Sequence, residues 1–225
     1  MKFNITTDAN ISANSAKRHN IMVSAGSDFD SIWRPALEAG TDILHLSVSS
    51  SIGDGYEKAC TAANAIKKEF PGRKVLVFDT LSISLGEILQ VMNAVKLRDN
   101  DLSLREAVKL LLVKRDKLAS VFAAGSKRIS KPIFKSNYCG EIVMEGRAKN
   151  TRLALKTLVD KFKANFDKNS TDPVGIAYVG CPKEAGKLLQ MLKKIAPNCD
   201  FLLTMCEPGS LRFGKCALAL FYTCA

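Results

Sequence analysis

The sequence predicts an α/β protein in which a parallel sheet is covered by helices, with the chain divided into two lobes near residue 125. Three observations carry that prediction. Short apolar runs rich in β-formers alternate with amphipathic stretches. Each such run passes directly into a polar turn. After "FAAGSKRIS" the texture changes from strand–helix alternation to a hairpin pattern.

The first strands are expected at 2–7 (KFNITT), 43–48 (ILHLSV) and 74–79 (KVLVFD). A helix over about 55–69 sets Tyr56, Cys60, Ala63 and Ile66 along one stripe and keeps Lys58, Lys67, Lys68 and Glu69 mainly off it; "PGR" stops it. Two more helices begin near "SLGEILQVMNAVKL" and "SLREAVKLLLVKRDKL", the second opened by a capping box of Ser103 and Glu106. Beyond the boundary, "KPIFKSNYCGEIVMEGR" reads as a hairpin with turn residues at Ser136, Asn137 and Gly140, followed by a helix near 150–166 and a loop at "FDKNSTDP". A second strand–helix–strand unit follows, with a strand at 174–179, a helix begun by Pro182 and a strand at 201–205; "CALALFYT" adds a last strand. The lobes are therefore expected at 1–125 and 126–225, with a ligand cleft between them.

With 225 residues, 47% of them hydrophobic, the chain is long enough to bury an ordinary core without disulfides or metals. Its seven cysteines never form CxxC and sit mostly in apolar segments, so they read as reduced core thiols. With only His19 and His45 besides, no metal site and no cofactor is expected. No apolar run approaches the ~20 residues that span a bilayer, and the N-terminus lacks a secretory layout, so a cytoplasmic protein without transmembrane insertion is expected. The 33 Lys and Arg against 22 Asp and Glu give a net charge of +11, spread along helix faces such as "LVDKFKANFDK" and "LLQMLKKIA" in the manner of solvated helices. Only "GSKRISKPIFK" is dense enough to attract an anion locally. Without zinc-finger spacing or aromatic interleaving, no nucleic-acid partner is expected.

In open α/β sheets ligands gather beyond the C-terminal ends of strands, which singles out "TDANIS" (7–12), "SSSIGDG" (49–55), "DTLSISLG" (79–86) and "EPGSLRFGK" (207–215). The glycines and serines of "SSSIGDG", with a helix N-terminus behind them, suit an anion. Asp54 would instead satisfy those N–H groups itself and repel an anion, making the stretch a capped strand-to-helix turn. The residues leave both readings open. Neither GxGxxG, GxxxxGK[ST] nor a GxSxG elbow occurs. His45 lies mid-strand as a sheet residue rather than a general base, and Cys181, just before Pro182, reads as an N-cap substitute rather than an activated thiol.

Seven segments also carry a resemblance, in order. "ITTDANIS" is similar to a TDS-x-x-DL turn, "VSAGSDFDSIW" to TSxPS, "SVSSSIGDGYEKACTAA" to ISSxLSGTYxxA and "VFDTLSISLGEILQVMNAVKL" to iDSxxxSxGxG. "GSKRIS" with "KPIF" is similar to GGRIS with KPIL, "GEIVMEGRAKNTRLAL" to the segment after it, and "RFGKCALALFY" to HTGPGALALFY. Over nearly its whole length the chain thus resembles the DegV family, which binds fatty acids and includes the lipid-binding partner of fatty acid kinase.

That resemblance implies an N-terminal parallel sheet between helices and a C-terminal mixed sheet with helices on one face. It implies a long acyl chain in an apolar tunnel between the lobes, its carboxylate held by hydroxyls. It further implies a non-catalytic carrier, without catalytic residues of its own, that presents the fatty acid to a separate fatty acid kinase subunit. The positions it marks for lipid binding are Val23, Ser24, Ser27, Ser50, Gly53, Asp54, Ser84, Arg128 and Arg212. Four of these depart from the family. Val23 stands for the threonine of TSxPS, Gly53 for the first serine of SGTY, Asp54 for the glycine after it, and Arg212 for the histidine of HTGPG. Losing hydroxyls at 23 and 53 removes neutral hydrogen bonds, whereas Arg212 offers a charge-assisted one about twice as strong. The stretches expected between "NIMV" and "SAGSDF" and between "KRIS" and "KPIF" are absent, which reads as a shortened member or a sequence lacking those segments. Two other readings stand beside lipid binding: a degenerate homologue kept for protein contacts, and an enzyme on a small phosphorylated or hydroxy substrate. The second rests on fold analogy to dihydroxyacetone kinase substrate domains, and His45 is poorly placed to serve as their covalent histidine.

Overall fold

The structure, a computed structural model, describes residues 3–24, 28–125, 130–208 and 211–225. The chain forms two compact units, Met1–Ile83 with Gln90–Asp116, and Ser84–Leu89 with Lys117–Ala225.

The first unit contains β1 (Asn4–Thr7), α1 (Ala13–Arg18), β2 (Ile21–Val23), α2 (Phe29–Glu38), β3 (Ile43–Ser47), α3 (Gly55–Glu69), β4 (Val75–Asp79), most of α4 (Leu85–Asp99) and α5 (Leu104–Asp116). Its strands pair in parallel in the order β2-β1-β3-β4. All five residues of β3 are buried, as a central strand between two helix layers requires. Leu44 and Leu46 pack with Phe3, Ile5 and Phe78 against Ala16, Val91, Val95 and Leu111 of α1, α4 and α5. Ile43 and its neighbours meet Phe29 and Trp33 of α2 and Ala59, Ala63 and Ile66 of α3 on the other face. The buried stripe of α3 is thus 59, 63 and 66, with Tyr56 and Cys60 half-buried at its edge. The capping box is formed: the Glu106 carboxylate accepts the Ser103 N–H at 3.0 Å, and Ser103 Oγ accepts the Glu106 N–H at 3.4 Å.

Three elements here were not expected from the sequence. The six residues of α1 and three of β2 are too short to show a period. α2 interrupts its own pattern with Pro35; it is fixed by Asp28, whose Oδ1 caps the Ser31 N–H at 3.2 Å.

The second unit contains β5 (Leu118–Ala124), β6 (Lys131–Ser136), β7 (Ile142–Ala148), α6 (Thr151–Asn165), β8 (Val174–Val179), α7 (Pro182–Lys193), β9 (Phe201–Met205) and β10 (Ala217–Thr223). Its six-stranded sheet has the order β7-β6-β5-β10-β8-β9, with β8 and β9 parallel and the other pairs antiparallel. α6 and α7 cover one face through Leu155, Leu158, Phe162, Ala185, Leu188 and Leu192, packed on Val121, Ile176, Leu218 and Leu220. β5 was also unassigned in the sequence, because "LASVFAA" follows a helical run without a turn residue. It pairs along its whole length with β10, so the sheet of this unit begins at Leu118, ahead of residue 125. The turn from β8 to α7 depends on Gly180, whose φ is +63° and where a Cβ would lie 2.2 Å from the Lys215 carbonyl oxygen.

Candidate functional site

In the first unit the strand order reverses between β1 and β3, which puts the crevice favoured for ligands beyond Thr7 and Ser47. Asp8 occupies that crevice. Its Oδ2 accepts the Ser47 hydroxyl and its Oδ1 the Val48 N–H, both at 3.0 Å. α3 starts so close that a Cβ on Gly55 would stand 2.7 Å from Asp8 Oδ2. A second carboxylate works from β4: Asp79 Oδ1 accepts the Ser50 N–H at 3.2 Å and the Leu81 N–H at 3.0 Å.

These bonds answer the choice posed by "SSSIGDG". The N–H of Ser49 goes to the Ser82 carbonyl, that of Ser51 to Ser49 Oγ and that of Ile52 to the Ser49 carbonyl. The backbone donors from Val48 to Ile52 are therefore spent within the fold, two of the five on acids, and the segment serves first as a strand-to-helix turn. Asp54 does not cap α3, as one of the two readings had it; its side chain makes no capping bond and points to Lys58, 2.8 Å away, which holds the carboxyl below its ordinary range. The reason is geometric: Asp54 has φ −94° and ψ 2°, not the extended backbone from which a cap side chain folds back.

The remaining positions marked for lipid binding are distributed as follows. Val23 is exposed at the end of β2, and Ser24 is buried with its hydroxyl donating to the Thr7 carbonyl at 3.3 Å, a bond within the fold. Ser50 and Gly53 are exposed on the turn after β3. Ser84 and Arg212 fall in the second unit. Ser84 has φ +52° and its Oγ lies 3.4 Å from Cys206 Sγ; Arg212 is exposed, with φ +58°. Ser27 and Arg128 lie outside the described residues. The structure thus gathers Val23, Ser24, Ser50, Gly53 and Asp54 at the strand ends of one unit. Sequence reasoning missed the two organising acids, although an Asp directly after a predicted strand and before a serine-rich turn is a readable signal. It also missed Phe213, whose ring centroid lies 4.6 Å from Phe134 and 5.3 Å from Phe122 on the second sheet.

The second unit holds a small pocket of about 40 Å³ lined by Ala123, Ala124, Ala154, Leu155 and Leu218, with Lys131, Cys181, Glu184 and Cys216 also on its wall. The Cys181 thiol donates to the Ala217 carbonyl at 3.1 Å. Burial, then the neighbouring Cys216, pushes its pKa up to about 12, so it stays a protonated thiol and no nucleophile. His45 is equally unsuited to catalysis. It is fully buried, its Nδ1 is 2.9 Å from Thr6 Oγ1, and Trp33 Nε1–H donates to that same oxygen at 3.2 Å. Among the described residues no cluster of three or more metal-ligating side chains occurs, and no helix is long and apolar enough to cross a membrane.

A family model described as an uncharacterised protein of the DegV family matches residues 9–127, more than half of the chain. A DegV domain-containing protein of Clostridium perfringens is 23% identical over 186 residues, 74% of this chain and 64% of its own length. One from Lactococcus lactis is 33% identical over 93 residues, 41% of this chain and 32% of its own length. The chain spans less than two thirds of these relatives. Among solved structures, a DegV family protein from Thermus thermophilus described for fatty acid binding has a TM-score of 0.80 at 19% identity, covering 99% of this chain and 100% of its own. The Streptococcus pneumoniae fatty acid kinase B3 protein loaded with linoleic acid has a TM-score of 0.75 at 16% identity, covering 100% of both chains. These likenesses establish the fold. With the family model matched over more than half of its length, the chain belongs to the DegV family.

Proposed function

We propose that this chain is a non-catalytic carrier that binds a long-chain fatty acid or a lipid of similar chemistry and offers its carboxylate to a separate fatty acid kinase. The observation that carries the proposal is the small pocket between α6, α7 and the second sheet, lined largely by short side chains such as Ala123, Ala124, Gly125, Ala154 and Gly180. Family membership supports it, as do the relatives solved with fatty acids and the B3 protein named for a fatty acid kinase. For the polar end we assign Ser84 and Arg212. Among the described residues the Ser84 hydroxyl is partnered by the Cys206 thiol, a weak partner to exchange for a carboxylate, and Arg212 supplies a charge-assisted donor. Val23 and Gly53 bring no hydroxyl, and Asp54 is already matched by Lys58. They are left out of the grip.

The pocket must open for an acyl chain. At about 40 Å³ it is far below the roughly 150 Å³ that accepts a benzene-sized guest. That small volume favours a second reading, a family member that keeps the fold and has lost the lipid. Native mass spectrometry of protein purified from cells, then titrated with fatty acid, separates the two. A retained or added acyl chain is expected, with Arg212→Ala weakening binding about tenfold or more, the loss of one charged hydrogen bond of about 1.5–3 kcal/mol. A chain that arrives empty and ignores added fatty acid establishes the second reading.

A further inference from the structure

α5 packs on one face of the first unit's sheet through Leu104, Ala107 and Leu111, while α2 and α3 pack on the other through Trp33, Ala59 and Ile66. A surface helix ordinarily turns polar residues to water. α5 instead shows Leu110, Leu112 and Val113 there, 45%, 39% and 57% exposed; among the described residues the other helices together show one large hydrophobic so exposed, Leu153. Arg105 lies seven residues before Leu112 and Lys109 four before Val113, so these exposed cations share the face with the aliphatic ridge. The acids of the helix, Glu106 and Asp116, are engaged by Ser103 and Arg115.

Between α2 and α3 runs a groove of two adjoining hollows, about 570 and 260 Å³, that share Phe29, Ala62 and Ala65 as an apolar floor. Both far exceed the ~30 Å³ share of a water molecule and have room for side chains. Asp28, Asp30, Asp54, Glu57 and Glu69 line the rim against one cation, Lys58. Asp30 and Glu69 hold Arg34 at 2.7 and 2.9 Å and Asp54 holds Lys58, whereas Asp28 and Glu57 meet no cation among the described residues.

We propose that α5 of one copy docks in the α2–α3 groove of a second copy, its aliphatic ridge on the apolar floor and Arg105 and Lys109 against the acidic rim. Charge and length both match. α5 has 13 residues and α3 has 15, about 20 and 22 Å at ~1.5 Å per residue. Repulsion between copies resides elsewhere: the first unit holds 15 Lys and Arg against 13 Asp and Glu, the second 18 against nine, so +9 of the net +11 falls outside the docking unit. Because ridge and groove occupy opposite faces of one sheet, two copies cannot make both contacts at once. The contact is head-to-tail, and a third copy can add to either end.

The proposal goes beyond fatty acid binding and is tested apart from it. Sedimentation equilibrium of the full chain is expected to give a mass that rises with concentration from 24.5 kDa past twice that value. Each aliphatic side chain withdrawn from water is worth about tenfold or more in association, so Leu110→Glu with Val113→Glu weakens it about a hundredfold. Glu57→Lys with Ala65→Arg blocks the groove to the same effect. All four positions are exposed, and urea unfolding confirms that both variants keep the wild-type fold. Each variant alone is then monomeric. Mixed one to one they form a dimer and nothing larger, because one intact ridge and one intact groove remain. A wild-type chain that stays at 24.5 kDa overturns the proposal and leaves the groove to a basic partner of another kind. A wild-type mass that stops at the dimer, a variant that assembles alone, or a mixture that stays monomeric or grows beyond the dimer overturns it equally.

Discussion

Acid should weaken this protein in a pH window set by His45. The ring is fully buried beside Phe29 and Trp33, with centroids 5.3 and 5.6 Å away, and its Nε2 has no hydrogen-bond partner among the described residues. Burial lowers its pKa from 6.5 to about 4, against a smaller opposing pull from Asp8. Because the folded value lies below the unfolded one, the unfolded chain takes up a proton between these values and the native chain does not. Stability is therefore level above about pH 6.5, falls as pH drops towards 4, and has lost about 3 kcal/mol there. At about pH 5 the loss is about 2 kcal/mol, which at a urea slope of about 2 kcal/mol per molar moves the midpoint down by about 1 M relative to about pH 7.5. The carboxyls held low by partners, Asp30, Asp54, Glu106 and Glu145, add a loss that begins only as pH falls through the ordinary carboxylate range at the foot of this window, and it is common to wild type and a variant at His45. Urea unfolding of wild type and His45→Leu at both pH values isolates the effect, since leucine binds no proton. If the wild-type midpoint shifts no more than that of the variant, the buried neutral imidazole is not the cause and the reasoning fails.

Two substitutions probe the connections that shape the site. Gly180→Ala combines a left-handed backbone with a Cβ 2.2 Å from the Lys215 carbonyl oxygen and is expected to cost about 2–4 kcal/mol in urea unfolding. Gly214→Ala, also left-handed at φ +74° but with open space around the added carbon, should cost only about 1–2 kcal/mol; equal losses would show that the carbonyl contact is unimportant. Asp8→Ala leaves the Val48 N–H and Ser47 hydroxyl without their acceptor and should cost about 1–3 kcal/mol. Faster amide exchange confined to the turn after β3 is the signature that separates this from general loss of stability.

The parts legible in the sequence were those whose signals are local. α3 runs over the expected 55–69 because its apolar stripe and the "PGR" stop lie within one window. Ser103 and Glu106 cap α5 because a capping box needs only residues three apart. The strands ending at Thr7, Ser47 and Asp79 were visible as apolar runs breaking into polar turns. β5 was not, because nothing in "LASVFAA" separates a strand from the helix before it until β10 pairs with it. At the candidate site, the serine-rich turns were correctly placed at strand ends. Their roles were not, because a serine facing a ligand and a serine bonding its own fold have the same spelling. Ser24 proved to be the second kind, donating to the Thr7 carbonyl.

By itself the sequence determined the alternation of elements, the helix stops, the absence of nucleotide fingerprints and the ordered motifs of a DegV chain. Tertiary structure alone decided that Asp8 reaches across to Ser47 and Asp79 to Ser50, that His45 is sealed among rings, and that the alanine-lined pocket is small. It also drew the division that reveals one nearly neutral unit and one strongly basic unit. The physical reason is range. Propensity and periodicity act within a turn or two of chain, whereas these contacts join residues far apart in sequence and exist only once packing has removed them from water.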